Sequence, residues 1–394
     1  MNILNETNLL KNKRIAIVGG GPGGLTLARL LQMKGVEVKV YERDYSKEAR
    51  VQGAIVDLHF DSGQKVIEKA GLMDAFKANY MQGADKYCIV DKNGIVRYDE
   101  PEAVCSAGFG DNHFRPEIDR GALRNVLLNS LQPDTVVWDC QFISMVLING
   151  EWKLQFKNGT MATADIVIGS DGARSKIRSY VTDIKPEYAG VTIIQGEIEN
   201  PGKDCPEIYQ LASSATMSAF GDKKIISVQP RGDGGLTFYA SARYPESWAD
   251  NSGIDFNNQN EVAAYLIWFY EGWHPMFFTL FKASASFVPR PLHCVPLDQN
   301  WAAQPNITII GDAAHIMPPS GEGVNTAMLD ALDLSECLTS GDYKDLQTAI
   351  AAYEQKMRTR ASELAQESLE GTEGMYHEDA LEETVQSFNQ MNRK

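Results

Sequence analysis

Apolar residues along this chain fall into two periods, and their alternation predicts the elements. Short, mostly apolar runs at 15–18, 36–41, 164–169 and 307–310 read as buried parallel strands. Helical spacing is predicted at about 22–34, 173–180 and 323–338, and at 346–369, where Leu346, Ile350, Tyr353, Met357, Leu364 and Leu369 share a face. Two further helices are predicted at 62–78, broken at Gly71, and at 115–131, with Asp119 as N-cap. Period-two alternation predicts hairpins over 87–98 and 142–156, turning at Asn93-Gly94 and Asn149-Gly150, and a strand over 135–138. The same alternation dominates residues 190–242 and 288–295, the pattern of an antiparallel sheet and the natural wall of a substrate pocket. Residues 256–281 read as helical, with Trp268, Phe269, Tyr270, Trp273, Phe277 and Phe278 as packing residues. Residues 101–114 read as loop, and the acidic tail after Gly371 carries no clear signal of order.

These elements predict an α/β fold. A Rossmann-like domain is interrupted by antiparallel β-sheet, re-entered more than a hundred residues later, and followed by a long C-terminal helix. The predicted boundaries are 1–182 and 296–342 for the nucleotide-binding parts, 183–295 for the inserted sheet, and 343–394 for a bridging helix and tail. A formal charge of −15 argues against nucleic acid or an anionic membrane as partner. Six cysteines without C-x-x-C spacing read as reduced, mostly buried thiols, and no metal site is expected. The first thirteen residues are polar, and no apolar run reaches membrane-spanning length, so a cytoplasmic protein is expected; a monomer is expected separately.

The chemistry concentrates where apolar runs end. After 15–18, Gly19, Gly21 and Gly24 follow in G-x-G-x-x-G spacing. The first glycine permits a tight turn, the second lets backbone approach a pyrophosphate, and the third lets helix and strand pack closely. The helix that follows would offer free N–H groups and a positive dipole end to phosphates. Glu42 ends the next strand, where a carboxylate meets an adenosine ribose. Two later strands end in Gly169-Ser-Asp-Gly172 and Gly311-Asp312. Three strand ends at one sheet edge predict a ligand longer than a mononucleotide.

Taken together, G-x-G-x-x-G, Asp171-Gly172 and Gly311-Asp-Ala-Ala-His315 with Pro319 resemble the FAD-dependent group A aromatic hydroxylases, with the para-hydroxybenzoate hydroxylase-like fold. Tyr41-Glu-Arg-Asp44, Glu48-Ala-Arg50, Asp57-Leu-His59, Ser62-Gly-Gln64, Pro116-Glu-Ile-Asp-Arg120 and Met317-Pro-Pro319 narrow the resemblance to the TetX-type tetracycline-inactivating monooxygenases. The resemblance implies a Rossmann-like FAD-binding domain, an inserted substrate domain, and FAD, NADPH and O2 as reactants. It places Glu42 on the ribose, Arg43, Asp57 and Arg120 on FAD, and Asp171 and Asp312 along the cofactor. Gly321, Glu322, Gly323, Val324 and Asn325 would lie under the isoalloxazine, and Arg50 would serve NADPH. Oxygen would reach an aromatic or polycyclic substrate through a flavin C4a-hydroperoxide, and no catalytic side chain is assigned. Rival roles stay open: a surface ion pair for Arg120, a helix cap for Asp312, a turn-forming role for Asp171, and a structural one for His315.

The substrate wall departs from that family. Gln195 is retained, but Thr216 and Thr237 stand where the tetracycline-inactivating enzymes carry arginine and histidine. Ser227 and Tyr239 replace phenylalanine and glycine, and the loop from Pro319 through Gly321 to Gly323 is one residue shorter. Turnover of tetracyclines therefore competes with hydroxylation of an unrelated phenolic metabolite. A non-hydroxylating flavoprotein or a flavin-holding binding protein are further alternatives; the W-x-W-x-I-P motif expected of a halogenase is missing from the sequence.

Overall fold

The predicted apolar runs meet in one parallel sheet. In the computed structural model, which describes residues 9–49, 55–84, 86–100, 108–212 and 215–391, its strands are β1 (Ile15–Val18), β2 (Val38–Tyr41), β8 (Val136–Val137), β12 (Ile166–Gly169) and β18 (Ile307–Ile309). They pair in the order β18-β12-β1-β2-β8, all parallel. Helices α1 (Pro22–Met33), α4 (Arg120–Asn129), α11 (Glu322–Thr339) and α12 (Leu346–Met375) bury apolar faces in the core around it, through Leu25, Leu127, Met328 and Tyr353 among others. The second hairpin, β9 (Phe142–Ile148) and β10 (Glu151–Phe156), forms with β11 (Met161–Ala164) a small flanking sheet.

A seven-stranded sheet forms the other half, in the order β17-β13-β16-β15-β14-β5-β6. Its strands are β5 (Lys86–Asp91), β6 (Val96–Asp99), β13 (Glu187–Ile198), β14 (Ala215–Gly221), β15 (Lys224–Pro230), β16 (Leu236–Arg243) and β17 (Phe287–Cys294). The 86–99 hairpin thus leaves the nucleotide-binding half, pairing parallel to β14. Side chains alternate across this sheet. Ile194, Met217, Ile226, Val228, Phe238 and Ala240 point to one face and are covered by α6 (Pro206–Ala212), α8 (Gln259–Phe269) and α9 (Pro275–Ala283). Short helices α5 (Pro201–Asp204) and α7 (Trp248–Asn251) flank that layer. The opposite face is largely polar.

Several expectations change. Residues 115–131 are not all helix: β7 (Glu117–Asp119) pairs with β3 (Ile55–Asp57) and with β4 (Tyr80–Met81) before α4 begins. Asp119 is the N-cap, accepting from the amides of Gly121 and Ala122. Residues 60–64 form a π-helical turn leading into α2 (Lys65–Lys69), with α3 (Met73–Lys77) beyond Gly71. Only Arg178–Tyr180 of the predicted 173–180 helix is helical, as a 3₁₀ turn. The segment 256–281 is two helices, and Trp268 is 66% exposed while Tyr270, Trp273 and Phe277 are buried. The acidic tail is ordered as the end of α12 and as α13 (Ala380–Met391). Phe388 of α13 stacks on Tyr87 at 4.7 Å, packing against the polar-face end of the large sheet. Cys88, Cys140, Cys205 and Cys294 are buried free thiols. No helix among the described residues is long and apolar enough to cross a membrane.

Candidate active site

The turn after β1 is built by contacts that exclude side chains. Gly19 has φ +109°, and a Cβ there would stand 2.1 Å from the Ser170 carbonyl oxygen. A Cβ on Gly24 would stand 2.2 Å from the Gly19 oxygen, so this glycine sets how closely α1 approaches β1. Gly21 differs: no atom lies within 4 Å of where its Cβ would be. It is the N-cap of α1, and the amides of the first turn lack helical acceptors. Glu42 is buried, with one oxygen accepting from the Gly20 amide at 2.5 Å and the other from Asp44 at 3.1 Å. It braces the turn from β2.

A cavity of about 910 Å³ joins all three strand-end motifs. Its lining includes Gly21, Arg120, Ser170, Gly172, Asp312 and Gly323. Arg120 is exposed at the first position of α4, and Arg124 follows one turn later on the same lining. Arg124 is buried and anchored to Asp44 at 3.1 Å and the Gly20 carbonyl at 3.4 Å. Arg124 belongs to no motif of the sequence, although its i,i+4 spacing from Arg120 is a usable signal. Asp312 opens the short helix α10 (Asp312–His315) with an exposed side chain. Asp171 is not among the lining residues. Its carboxylate accepts from the Ser175 hydroxyl at 2.5 Å and the Lys176 amide at 2.8 Å, and burial raises its pKa despite those donors. These bonds hold the turn that replaces the predicted helix. Arg43 is exposed outside this lining, and Arg50 lies outside the described residues.

The far end is organised by the N-terminus of α11. Gly321, at φ +84°, lies beside the Asp57 carboxylate, and Gly323 and Val324 line the cavity. Asn325 is fully buried and fully engaged. Its oxygen accepts from the amides of His59 at 2.9 Å and Gly63 at 3.2 Å, while its nitrogen donates to the carbonyls of Asp57 at 2.9 Å and Gly321 at 3.2 Å. His59 stands between two carboxylates, Asp57 at 2.7 Å and Glu322 at 3.0 Å. Burial opposes a charge on His59, but the two carboxylates outweigh it and push its pKa up to about 9. The imidazolium answers the charge of Glu322, so the α11 N-terminus keeps its positive dipole end toward the cavity.

Behind Gly311 and Asp312 lies a buried charge network. Asp330 accepts from the Gly311 amide at 2.8 Å and pairs with His315 at 2.5 Å and Arg360 at 2.7 Å. His315 is fully buried, so its part is to hold the loop that carries Asp312.

The wall residues Gln195, Thr216, Ser227, Thr237 and Tyr239 all lie on the polar face of the large sheet. Register sets Ser227 and Gln195 on either side of Tyr239, with Thr237 opposite Glu197. Thr237 is buried, and Ser227 meets Ser218 at 2.8 Å. Burial raises the Tyr239 pKa, and nearby Arg120 and Arg290 work against that rise. Gly232, in the turn between β15 and β16, lines the cavity and connects it to this sheet. Pro319 and Gly321 are exposed on the connecting loop.

The residues present fit FAD. Gly21 offers open backbone at a helix N-terminus, guanidinium and carboxylate groups are spaced along the cavity, and a second helix N-terminus ends it. Residues 12–93 and 299–368 match the family model described as FAD binding domain. A monooxygenase, penA, of Penicillium thymicola is 27% identical over 88% of this chain and 92% of its own length. The Klebsiella pneumoniae HpxO structure with FAD and uric acid superposes with TM-score 0.75 at 19% identity, covering 96% of this chain and 93% of that one. The tetracycline destructase Tet(55) superposes with TM-score 0.74 at 20% identity, covering 98% and 96%. The chain thus carries an FAD binding domain in an FAD-monooxygenase fold, and it is an oxidoreductase.

Proposed function

We propose that this protein is a monooxygenase that uses NADPH and O2 to hydroxylate an aromatic or polycyclic small molecule at the junction of the FAD cavity and the large sheet. The observation that carries the proposal is the lining of the cofactor cavity: Gly232, in the turn between β15 and β16 of the large sheet, shares it with Arg120, Gly323 and Val324. FAD, when bound, supplies the redox chemistry, accepting a hydride and passing electrons to O2 so that one oxygen atom reaches the substrate.

In this proposal the chain positions, shields and stabilises charge. The α1 N-terminus and Gly21 receive the pyrophosphate, and Arg120 and Asp312 hold the ribityl and phosphate region. The first-turn amides of α11 at Gly323 and Val324 stabilise negative charge on the reduced ring. The polar face orders the substrate through Tyr239, Thr237, Ser227 and Thr216, while helix α13 packs on the same side of the sheet.

Tetracycline inactivation is the second proposal, favoured by the TM-score of 0.74 to Tet(55). Thr216 and Thr237 weigh against it, since losing hydrogen bonds to charged groups costs about 1.5–3 kcal/mol each. The test is NADPH consumption under O2 with tetracycline and with simple phenols. A yellow protein whose NADPH oxidation is stimulated, with product heavier by one oxygen atom, supports hydroxylation. Stimulation by phenols alone removes the tetracycline reading, and failure to hold FAD removes both.

A further inference from the structure

Asp119 caps α4 with one carboxylate oxygen only. Oδ1 accepts from the amides of Gly121 at 2.8 Å and Ala122 at 3.0 Å. The residue is 6% exposed, and among the described residues no donor meets its buried Oδ2. Buried carboxylate oxygens are normally hydrogen-bonded, because an unpaired one has given up water for nothing. The buried carboxylates behind the cavity obey that rule. Glu42 holds the Gly20 and Asp44 amides, and Asp330 holds the Gly311 amide, His315 and Arg360. Asp119 lines the cavity itself, beside Arg120, Gly121 and Ala122.

The large sheet closes the other side of this carboxylate. A Cβ on Gly232 would stand 3.1 Å from the Asp119 Cβ and 3.3 Å from Oδ2, so glycine lets the β15–β16 turn come this close. Arg231 steadies the turn through Glu197 at 3.4 Å and through Asp233. Gly232 also lines the cavity, and it has no side chain to displace, so a small movement of the turn gives a ligand group access to Oδ2. In a cavity that fits FAD, the donors suited to a carboxylate oxygen are hydroxyls. The ribityl chain carries several, and a phenolic ring brings its own.

We propose that Asp119 is a binding residue whose Oδ2 accepts a hydrogen bond from a ligand hydroxyl, on the ribityl chain of FAD or on the ring substrate. This rests on the FAD-monooxygenase reading of the cavity and gives the helix cap a second task.

Asp119→Asn separates the two tasks. Asparagine caps a helix as well as aspartate does, but its side-chain nitrogen donates where Oδ2 accepts. Asp119→Ser keeps a cap and has no second oxygen. Both flavin-free variants should unfold close to the parent's midpoint. Fluorescence titration of the flavin-free proteins with FAD reads the ribityl source. Calorimetric titration of the FAD-loaded proteins with phenol, resorcinol and tetracycline reads the substrate source. In both variants one of these affinities should fall by roughly tenfold or more, the effect of losing a hydrogen bond to a charged group. Removing a negative charge would by itself raise affinity for the FAD phosphates, so a purely electrostatic role predicts the opposite sign. Parent-like or higher affinity for FAD together with parent-like affinity for every phenol tested would overturn the proposal, and so would losses that track a lowered unfolding midpoint. A parent protein that holds no FAD counts against the FAD reading, whereas a parent and D119N that hold it equally do not.

Discussion

The side-chain nitrogen of Asn325 donates to the backbone carbonyl of Asp57 at 2.9 Å, tying the first turn of α11 to the end of β3 across 268 positions of sequence. With its oxygen holding the amides of His59 and Gly63, this one amide fixes the 57–63 segment against the helix whose residues Gly323 and Val324 line the cavity. Asn325→Ala would leave several buried backbone groups unpaired, at about 1–3 kcal/mol each. The variant should lose at least roughly 2 kcal/mol of stability in denaturant unfolding and retain FAD poorly. Unchanged stability would show that the staple is replaceable by water.

Two glycines of the same loop should fail differently. A Cβ at Gly24 meets the Gly19 carbonyl at 2.2 Å, so Gly24→Ala should destabilise the fold itself, measurable as a lower unfolding midpoint of the flavin-free protein. Gly21 has open space at its Cβ position, so Gly21→Ala should fold normally and lose FAD affinity because the methyl occupies the pyrophosphate approach. Equal effects on folding in both variants would contradict this division.

Arg120 and Asp312 face the cavity, while Asp171 is bonded within its own turn. Arg120→Ala and Asp312→Ala should lower FAD affinity by roughly tenfold or more with little change in flavin-free stability. Asp171→Ala should do the reverse. Fluorescence titration of the flavin-free protein with FAD, paired with thermal unfolding, separates the two outcomes.

His59 gives the site a pH dependence. Its pKa in the fold, about 9, lies above the free imidazole value of about 6.5, so the ion-pair contribution is complete below the free value. That contribution is lost as pH rises through the folded value. NMR titration of the His59 ring should show a midpoint well above that of a free histidine. The alkaline loss of FAD retention should be weaker in His59→Gln. A midpoint at or below the free value would contradict the bracing by Asp57 and Glu322.

Local patterns made the nucleotide half legible. Strand, glycine spacing and helix lie within Ile15–Met33, and Gly311-Asp312 is equally compact, because each element is defined by neighbours in sequence. What escaped depended on distant partners. Ile118 reads as the start of a helix until Val56 and Tyr80 draw it into a sheet. The 86–99 hairpin was visible as a hairpin, but its pairing with β14 was not, since nothing local encodes a strand partner more than a hundred residues away. In the site, the motif located Asn325 without telling a cofactor contact from a backbone staple. Asp119 reads as a helix cap, but the approach of Gly232 to its second oxygen follows only from the fold.

The most direct test of the central claim is mass spectrometry of products formed by the FAD-loaded protein with NADPH under isotopically labelled dioxygen. The assay uses tetracycline and the simple phenols named above as substrates. The account predicts a product that carries one labelled oxygen atom and forms only when NADPH is present. Label-free products, or NADPH consumption that ends entirely in hydrogen peroxide with every compound, would contradict it.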